Sequence, residues 1–378
     1  MKLDTEFIKL PLRFDVEQLK REIAQFTEDD WMPHATGFPG NFSIPLISLN
    51  GEYNDALHGA MKGTPALARC AYIQQIMTEF GEVFSRSRLM RLEPGTDVPP
   101  HVDVNYHWHN RVRIHVPITT TEDVLFYCND KHVHMAPGEC WIFNSWQEHT
   151  VQNNSDRTRV HLVLDTAGSP RFWQLAEEGE WPFENRSIEP TPPKYIAFDP
   201  DQEINVRTEA FNAPLVLCPA EIESLAFSLV EDASMSADSD PRSVEQYRWL
   251  ARNFVRAWRE VWSEHGMKPT GWPLYHALVN QADAGLAAIT PEIVLSSNEV
   301  ELGPAFRGLV LYSAINEEFA PQYLDKDELP DNLEPAIRQF KPNEGGLKKT
   351  AQANGAPRRN DPCHCGSGKR FKHCHGSL

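Results

Sequence analysis

Seven short strand-like segments lie between residues 85 and 165, and they constrain the fold more than any other feature of the chain. Apolar residues alternate with polar ones, and each segment is bounded by Pro, Gly, Asn or Asp. The segments are SRLMRLEP, RVRIHVPI, DVLFYCN, KHVHMAPGE, CWIFNS, EHTVQNN and RTRVHLVLD. So many strands in so short a span predict a sandwich or a small barrel. A double-stranded β-helix, or jelly-roll, fits best, because its open mouth can hold a metal ion.

Helical patterns flank this β region on both sides. FDVEQLKREIAQF, with Asp15 as its N-cap, and TPALARCAYIQQIMTEFGEVF each predict a helix before it, and VEQYRWLARNFVRAWREVWSEHG predicts a long helix after it. Residues 341–378 are low in apolar residues and predict a linker and tail. We therefore expect a mainly β core (double-stranded β-helix or jelly-roll, cupin-like) with flanking helices at 1–190, a mostly helical region at 191–335, a flexible linker at 336–360 and a small tail at 361–378, whose cysteines are considered below.

Length, charge and cysteine usage limit the class of protein. A chain of 378 residues is long enough for two or three domains, and it contains no apolar run of membrane-spanning length and no secretory signal. The net charge of −17 argues against non-specific binding of nucleic acid by the acidic body, although the C-terminal tail is basic. Cys70, Cys128, Cys140 and Cys218 are scattered, which is typical of reduced packing residues. We expect a cytoplasmic protein without disulfides.

Two histidines and one aspartate are the candidate metal ligands. His101 and Asp103 are two residues apart, so on a strand both side chains point to one side, and His149 follows a later strand. Two neutral nitrogens and one anionic oxygen suit non-haem Fe(II), because three coordination positions stay open. Arg159 can hold the far carboxylate of a dicarboxylate cosubstrate. The simpler reading is a surface histidine beside an aspartate, because a chain with fifteen histidines contains such a tripeptide by chance about once.

An ordered series of motifs favours the metal site over that simpler reading. The series is Pro94-Gly95, His101-x-Asp103, Arg113-x-His115, Pro137-Gly138-Glu139, Glu148-His149 and Arg159. It resembles the aspartyl/asparaginyl β-hydroxylase family of Fe(II)/2-oxoglutarate dioxygenases, which includes cis-selective proline hydroxylases, over roughly residues 8–165.

The resemblance implies a role for each of these residues. It implies that His101, Asp103 and His149 bind iron and that Arg159 binds the C5 carboxylate of 2-oxoglutarate. Arg113 and His115 would line the cosubstrate pocket, with Arg111 as a competitor for Arg113. The aromatic insert at 105–110 leaves the roles of Tyr106, His107 and Trp108 open. Trp108, Asn144 and Trp146 are candidate substrate contacts, although aromatic residues near a mouth more often pack.

A second metal site is predicted at the C-terminus, where the chain reads DPCHCGSGKRFKHCHG. Cys363, Cys365, Cys374 and His375 supply three thiolates and one imidazole, which suit a closed tetrahedral zinc site. His364 and His373 are alternatives to His375, and free thiols in a disordered tail are the alternative to a zinc site. The segment resembles the SEC-C motif of the SecA translocation motor, which implies docking to a protein or a ribosome.

Two functions of different classes remain open at this stage. The first is an enzyme that uses Fe(II), 2-oxoglutarate and O2 to hydroxylate an amino-acid side chain, free or within a peptide or protein, with release of succinate and CO2. The second is a non-catalytic jelly-roll that senses metal or carboxylate and docks through its zinc-binding tail. The complete ligand set favours the enzyme. We expect no membrane partner.

Overall fold

Two antiparallel sheets face each other across a shared interior in the first half of the chain. The structure is a computed structural model, and it describes residues 1–34 and 37–330. The strands are Phe7–Lys9 (β1), Leu12–Phe14 (β2), Met32–Pro33 (β3), Asn41–Leu49 (β4), Met61–Gly63 (β5), Val83–Leu92 (β6), Asp97–His101 (β7), Val112–Thr119 (β8), Val124–Cys128 (β9), Lys131–Val133 (β10), Trp141–Phe143 (β11), His149–Asn153 (β12), Arg159–Thr166 (β13), Lys194–Ile196 (β14) and Arg207–Thr208 (β15).

The helices pack on one face of the larger sheet and form most of the second half of the chain. They are Val16–Ile23 (α1), Pro65–Ala68 (α2), Ala71–Phe80 (α3), Tyr106–His109 (α4), Pro170–Glu177 (α5), Pro219–Ser234 (α6), Pro241–His265 (α7), Trp272–Ala287 (α8), Leu302–Phe306 (α9) and Ala320–Tyr323 (α10). Short 3-10 turns occur at Glu28–Asp30, Pro269–Gly271 and Glu317–Phe319, and a π-helical turn occurs at Arg307–Leu311.

The order of the strands is that of a double-stranded β-helix. The larger sheet runs β1-β11-β8-β13-β6-β4-β3, with β5 beside β4 and β15 beside β6, and the smaller sheet runs β10-β9-β12-β7. Each of the seven strand-like segments forms a strand, and β7 adds an eighth. The predicted fold class, a mainly β core with flanking helices and a helical second region, is therefore confirmed.

Alternation along the strands of the larger sheet separates apolar from polar side chains. Ile114 and Val116 of β8 and Leu162 and Leu164 of β13 pack with residues of α1, α3 and α5 in one apolar core. The residues between them point to the opposite face, since successive side chains of a strand alternate. Phe126, Phe143 and their neighbours fill part of that interior. The remaining interior positions carry charged residues and histidines.

The segment from residue 64 to residue 81 forms two helices, α2 and α3, where the sequence predicted one. The helix is interrupted at Arg69 and Cys70, and α3 begins at Ala71. The carboxylate of Glu22 in α1 accepts hydrogen bonds from the backbone amides of Tyr72 and Ile73, at 2.5 and 3.1 Å. This carboxylate caps the second helix from outside the segment, and local sequence gives no sign of such a tertiary cap.

The predicted start of α1 and the ends of α3 and α7 agree with the structure, whereas α1 ends at Ile23, before the predicted Phe26, and α7 begins at Pro241, before the predicted Val244. Asp15 accepts a hydrogen bond from the amide of Gln18 and caps α1. Gly81 ends α3 in the left-handed conformation, and α7 runs for 25 residues before Gly266. No helix in residues 1–34 or 37–330 has both the length and the apolarity to cross a bilayer.

The helical region is built around a core of its own that reaches into the β domain. Residues of α6, α7, α8 and α9 form this core, and Val102, Val104, Tyr106 and Trp146 of the β domain are part of it. These four residues come from the two loops that carry or flank Asp103 and His149. The helices therefore pack directly against the loops of the candidate metal site. The predicted linker and tail lie outside the described residues.

Gly138 offers a test of the packing between the β domain and α1. Its φ is +77°, and a Cβ atom there would lie 2.7 Å from both the carbonyl oxygen of Phe14 and Cγ2 of Val16. We expect Gly138→Ala to lower the free energy of unfolding by ~1–2 kcal/mol for the left-handed backbone and by a further ~1–3 kcal/mol for overpacking. Chemical denaturation measures both contributions.

Gly95→Ala is the matched control. Gly95 has a similar φ of +67°, but a Cβ there would meet nothing within 4 Å. Gly95→Ala should therefore show the cost of the backbone conformation alone. Equal losses of stability in the two variants would contradict the close approach to Phe14 and Val16.

Candidate metal centre

His101, Asp103 and His149 meet at one end of the smaller sheet. His101 ends β7 and His149 begins β12, and the two residues are partners in the antiparallel pairing of these strands. Their ring centroids are 4.1 Å apart. Oδ2 of Asp103 lies 3.6 Å from Nε2 of His149. One ligand atom from each residue lies within 4.8 Å of the other two, so the three predicted ligands can share one ion.

Backbone carbonyl groups orient both imidazole rings. Nδ1 of His101 lies 2.8 Å from the carbonyl oxygen of Pro99, and Nδ1 of His149 lies 2.9 Å from that of Gln147. A carbonyl only accepts hydrogen bonds, so each Nδ1 carries the proton and donates it. Each Nε2 is then left with a free lone pair. This arrangement is the usual outer support of a metal-binding histidine.

The protonation states suit a divalent cation. Burial lowers the pKa of His149 to about 3, so its ring is neutral at neutral pH. Burial opposes ionisation of Asp103, but Arg113 and the two nearby histidines outweigh it and lower the pKa of that carboxyl group. Nε2 of His149 and Oδ2 of Asp103 are buried without a hydrogen-bond partner among the described residues. A metal ion would satisfy both atoms, so the residues fit such an ion.

Arg113 is the cation nearest to the Asp103 carboxylate. Its Nη1 lies 3.0 Å from Oδ2 of Asp103. The guanidinium lies over the indole of Trp108, 3.5 Å from the ring centroid. The indole of Trp108 thus stabilises the position of the Arg113 guanidinium through a cation–π interaction. Arg111, the competing candidate, is engaged elsewhere: its Nε donates to both carboxylate oxygens of Glu209, at 2.9 and 3.1 Å.

Arg159 is a buried cation deeper in the barrel. Its Nη2 donates a hydrogen bond to Nδ1 of His161 at 2.8 Å, while its Nε has no hydrogen-bond partner. No carboxylate of the described residues lies within ion-pair distance of Arg159. Burial lowers its pKa to about 9. A buried guanidinium without a counter-ion is costly, and an anionic ligand would compensate it.

His115 lies beside Arg159, between the two sheets. Its ring is 5.8 Å from that of His161 and 5.5 Å from those of Phe126 and Phe143. Burial, followed by the nearby Arg159, lowers the pKa of His115 well below its usual value. Both of its ring nitrogens lack partners within the described residues. Arg159, His115 and His161 thus form a polar cluster beside the aromatic rings of Phe126 and Phe143. His161 was missed by sequence analysis, although its position two residues after Arg159 indicates the same strand face.

A chain of ion pairs extends from the candidate metal centre along β6. Arg113 and Arg86 each approach Asp165, with Nε–O distances of 4.0 Å. Arg86 and Arg88 approach Asp55 at 3.9 and 3.1 Å. Sequence analysis missed these two arginines. Their spacing of two residues on a strand was the available signal, because it places both side chains on the face that carries the site.

The remaining predicted residues fall into three groups. Trp146 and Asn144, considered as substrate contacts, pack in the structure: Trp146 belongs to the core of the helical region, and Asn144 donates to the carbonyl of Leu3 at 2.8 Å. Cys70, Cys128, Cys140 and Cys218 form no disulfide among the described residues. The predicted zinc ligands, Cys363, Cys365, Cys374 and His375, lie outside the described residues.

Comparison with known families agrees with both resemblances. Residues 52–168 match the model of the family described as aspartyl/asparaginyl beta-hydroxylase, and residues 359–377 match that of the SEC-C motif. The resemblance predicted from sequence is confirmed for these two segments. The match begins at residue 52, whereas the predicted resemblance began near residue 8.

Curated relatives cover only a short part of this chain. The protein translocase subunit SecA of Chlorobium phaeovibrioides is 56% identical over 34 residues, which are 9% of this chain and 3% of that protein. SecA of Cupriavidus necator is 45% identical over 56 residues, which are 14% of this chain and 6% of that protein. The chain thus spans a small fraction of the length of these relatives.

Solved structures with a similar arrangement include several oxygenases. An oxidoreductase of the 2OG-Fe(II) oxygenase family from Burkholderia pseudomallei is 10% identical, with a TM-score of 0.31, over 40% of this chain and 78% of that one. A prolyl-4-hydroxylase from Pseudomonas putida is 13% identical, with a TM-score of 0.30, over 43% and 92%. HygX from Streptomyces hygroscopicus, with nickel and 2-oxoglutarate bound, is 13% identical, with a TM-score of 0.31, over 43% and 82%. Such low scores carry no argument for the function of this chain.

Replacing His149 tests the ligand set. We expect His149→Ala to weaken Co(II) binding by at least ~100-fold, because loss of a direct ligand should exceed the 10–100-fold cost of losing outer support. Anaerobic titration of the apo-protein with Co(II), followed by visible absorption, measures the affinity. Far-UV circular dichroism should stay unchanged.

His132→Ala is the control for a general histidine effect. His132 is exposed on β10 and is not one of the three converging residues. The His132→Ala variant should bind Co(II) with the affinity of the wild type. Wild-type Co(II) affinity in His149→Ala would remove His149 from the ligand set.

Proposed function

We propose that residues 1–190 form an Fe(II)- and 2-oxoglutarate-dependent dioxygenase that hydroxylates an amino-acid side chain, free or within a peptide or protein, and releases succinate and CO2. The observation that carries the proposal is the convergence of His101, Asp103 and His149, together with a buried Arg159 that has no carboxylate partner among the described residues. The first three residues supply the ligands of a ferrous site, and the fourth supplies the charge that a dicarboxylate cosubstrate needs.

The protein's part is to hold the ion with three coordination positions open. His101 and His149 would bind through Nε2, because their Nδ1 protons are donated to backbone carbonyls. Asp103 supplies one negative charge against the divalent ion. A ferrous ion bound here, with 2-oxoglutarate and O2, supplies the oxidising chemistry of hydroxylation. The aromatic residues between the sheets exclude water from this chemistry.

Arg159 would bind the C5 carboxylate of 2-oxoglutarate. A guanidinium offers two parallel donors to a carboxylate, and burial strengthens such a pair. His115 lies in the same polar cluster and would contact the cosubstrate, since neither of its nitrogens has a partner in the described chain. Arg113, which lies next to Asp103, would contact the end of the cosubstrate nearest the ion.

The charges beside the metal centre favour a prime substrate with an anionic group. Among the described residues, Arg86, Arg88 and Arg113 form ion pairs with Asp55 and Asp165 alone once Asp103 is used by the metal ion. Burial also raises the pKa of Asp165, which weakens its value as a counter-ion. A carboxylate on the substrate would balance the excess of positive charge. Carboxylates occur on free amino acids and on acidic residues of peptides.

The C-terminal segment favours a peptide or protein target over a free amino acid. We propose that Cys363, Cys365, Cys374 and His375 hold Zn(II) in a closed site, which has structural value and no open position for catalysis. The match to the SEC-C motif supports this, and it supports docking to a protein or a ribosome. Thiolate ligands and free cysteines suit a reducing compartment, so we propose a cytoplasmic location.

Anaerobic mixing of apo-protein with Fe(II) and 2-oxoglutarate tests the proposed function. The intact chain should develop a visible charge-transfer band and, in air, release succinate. Arg159→Ala should need at least ~30-fold more 2-oxoglutarate for half of that band, because loss of a buried charge pair costs ~2 kcal/mol or more. Its affinity for iron should be unchanged.

Two variants control this experiment. Arg157→Ala removes an exposed arginine two residues away and should leave the requirement for 2-oxoglutarate unchanged. Arg159→Lys should lie between Ala and the wild type, because an ammonium keeps the charge but not the two-pronged geometry. An unchanged requirement in Arg159→Ala would exclude the assigned role. A wild-type chain without the band and without succinate would favour the sensor of metal or carboxylate instead.

Deleting residues 358–378 tests the separation of the two metal sites. The truncated chain should lose its zinc, measured by elemental analysis, because all four proposed ligands are removed. The Fe(II)·2-oxoglutarate band should be retained, since the iron ligands lie in residues 101–149. Loss of the band together with the zinc would show that the two sites depend on each other.

A further inference from the structure

We propose that the helical region is part of the metal centre, and that Ser297 and Asn298 are positioning residues for His149. These residues belong to a loop at 295–300 between α8 and α9, which we call the anchor loop. The inference rests on the proposed function only in naming iron as the resident ion. Its structural claim concerns how the three ligands are held.

The anchor loop makes three hydrogen bonds to the segment that precedes His149. Nε1 of Trp146 donates to Oγ of Ser297 at 2.7 Å, and Nε2 of Gln147 donates to the carbonyl oxygen of Ser297 at 2.8 Å. Nδ2 of Asn298 donates to the carbonyl oxygen of Trp146 at 3.0 Å. Two adjacent residues of the β domain are therefore fixed by two adjacent residues of the anchor loop.

The fixed segment in turn holds two of the three ligands. The carbonyl oxygen of Gln147 accepts a hydrogen bond from Nδ1 of His149 at 2.9 Å and so sets the orientation of that ring. The carbonyl oxygen of Ser145 accepts a hydrogen bond from the backbone amide of Asp103 at 3.1 Å. Residues 145–147 thus set both the imidazole of His149 and the backbone position of Asp103.

The anchor loop is itself held rigidly by α6. Asp232 accepts hydrogen bonds from the backbone amide of Ser297 at 2.9 Å and from its hydroxyl at 2.5 Å. Oδ1 of Asn298 accepts from the amide of Val300 at 3.1 Å, and the amide of Leu295 bonds to the carbonyl of Val300 at 2.8 Å. Asn298 is only 1% exposed, so its amide group has little access to competing water.

The helical region also holds the other ligand-bearing loop. Val102 and Val104, on either side of Asp103, are buried in the core of the helical region. A Cβ on Gly308 would lie 2.8 Å from the carbonyl oxygen of Val104, so the backbones approach closely there. The hydroxyl of Tyr106 donates to Glu221 of α6 at 2.6 Å. Asp103 is therefore placed by contacts on both of its sides.

Two consequences follow from this arrangement. Removing an outer support of a metal ligand typically lowers metal affinity by 10–100-fold. The anchor loop acts one residue further from the ligand, so we expect its loss to lower metal affinity by about 10-fold. The coupling is reciprocal: if the ordered anchor loop strengthens ion binding by a given free energy, a bound ion stabilises the ordered loop by the same free energy.

Asn298→Asp tests the inference with a nearly isosteric change. It keeps the oxygen that accepts from Val300 and replaces the donor to Trp146 by a second oxygen, which repels the Trp146 carbonyl. Anaerobic titration with Co(II) should show affinity lowered ~10-fold. The visible spectrum of bound Co(II) should also change, since the ring of His149 is less firmly oriented. Far-UV circular dichroism should be unchanged.

Asn316→Asp is the matched control. Asn316 is also buried in the helical region, and its Nδ2 donates to the carbonyls of Pro214 and Ser313 at 2.7 and 3.1 Å. Among the described residues, Asn316 makes no hydrogen bond to residues 145–149. The Asn316→Asp variant should therefore lose comparable stability and keep the Co(II) affinity and spectrum of the wild type. If both variants keep wild-type Co(II) affinity and spectrum, the helical region only packs and the inference is wrong.

Gln147→Met decides the matter if Asn298→Asp fails to fold. It removes only the donor to Ser297, at a partly exposed position, and should lower Co(II) affinity in the same direction by a smaller factor. In the wild type, saturating Co(II) should slow hydrogen exchange at the amides of Ser297 and Val300. Unchanged affinity in Gln147→Met and unchanged exchange would overturn the inference. A wild-type chain that binds no divalent ion would instead overturn the proposed function, and with it the positioning role.

Discussion

The pairing of β7 with β12 is the constraint on which the rest of the site depends. It sets His101 opposite His149, and the register shifts immediately afterwards, between His149 and Val151. Because side chains alternate along a strand, a slip of one residue would turn one imidazole away from the other. The shift is of the kind that re-aims a side chain at the rim of a barrel. Thr150 strengthens this pairing by donating from its hydroxyl to the carbonyl of Val98 at 2.5 Å.

The site also depends on charged side chains buried between the sheets, and their burial opposes folding. Arg86, Arg88, Arg113 and Arg159 are all largely removed from water, and their Nε atoms have no hydrogen-bond partner among the described residues. Buried charges of this kind are costly unless each is paired and hydrogen-bonded. The apolar faces of the larger sheet and the helical core provide the opposing hydrophobic term. A protein retains such an interior where the charges have a function, and anionic ligands would satisfy them.

Sequence analysis could predict what depends on local periodicity. The strands, the common face of His101 and Asp103, and the position of Arg159 at a strand start all follow from alternation and spacing. The insert at 105–110 could not be assigned, because its roles come from distant partners. It forms α4, which places Trp108 under Arg113 and Tyr106 against Glu221. The spacing of Arg86 and Arg88 shows only that they share a strand face; their partners, Asp165 and Asp55, are distant in sequence and are brought to them by the fold.

The helical region carried no chemical signature in the sequence, and the structure explains why it can matter without one. Its contribution is made through an amide, a hydroxyl and backbone carbonyls, which occur in every protein and have no diagnostic spacing. Because Val102, Val104 and Trp146 lie in its core, local opening of these helices would release the loops that carry two of the ligands. The fraction of molecules with a competent centre then depends on the stability of the helices. Apparent metal affinity falls in proportion to that fraction, so a substitution far from the barrel can weaken metal binding without touching a ligand.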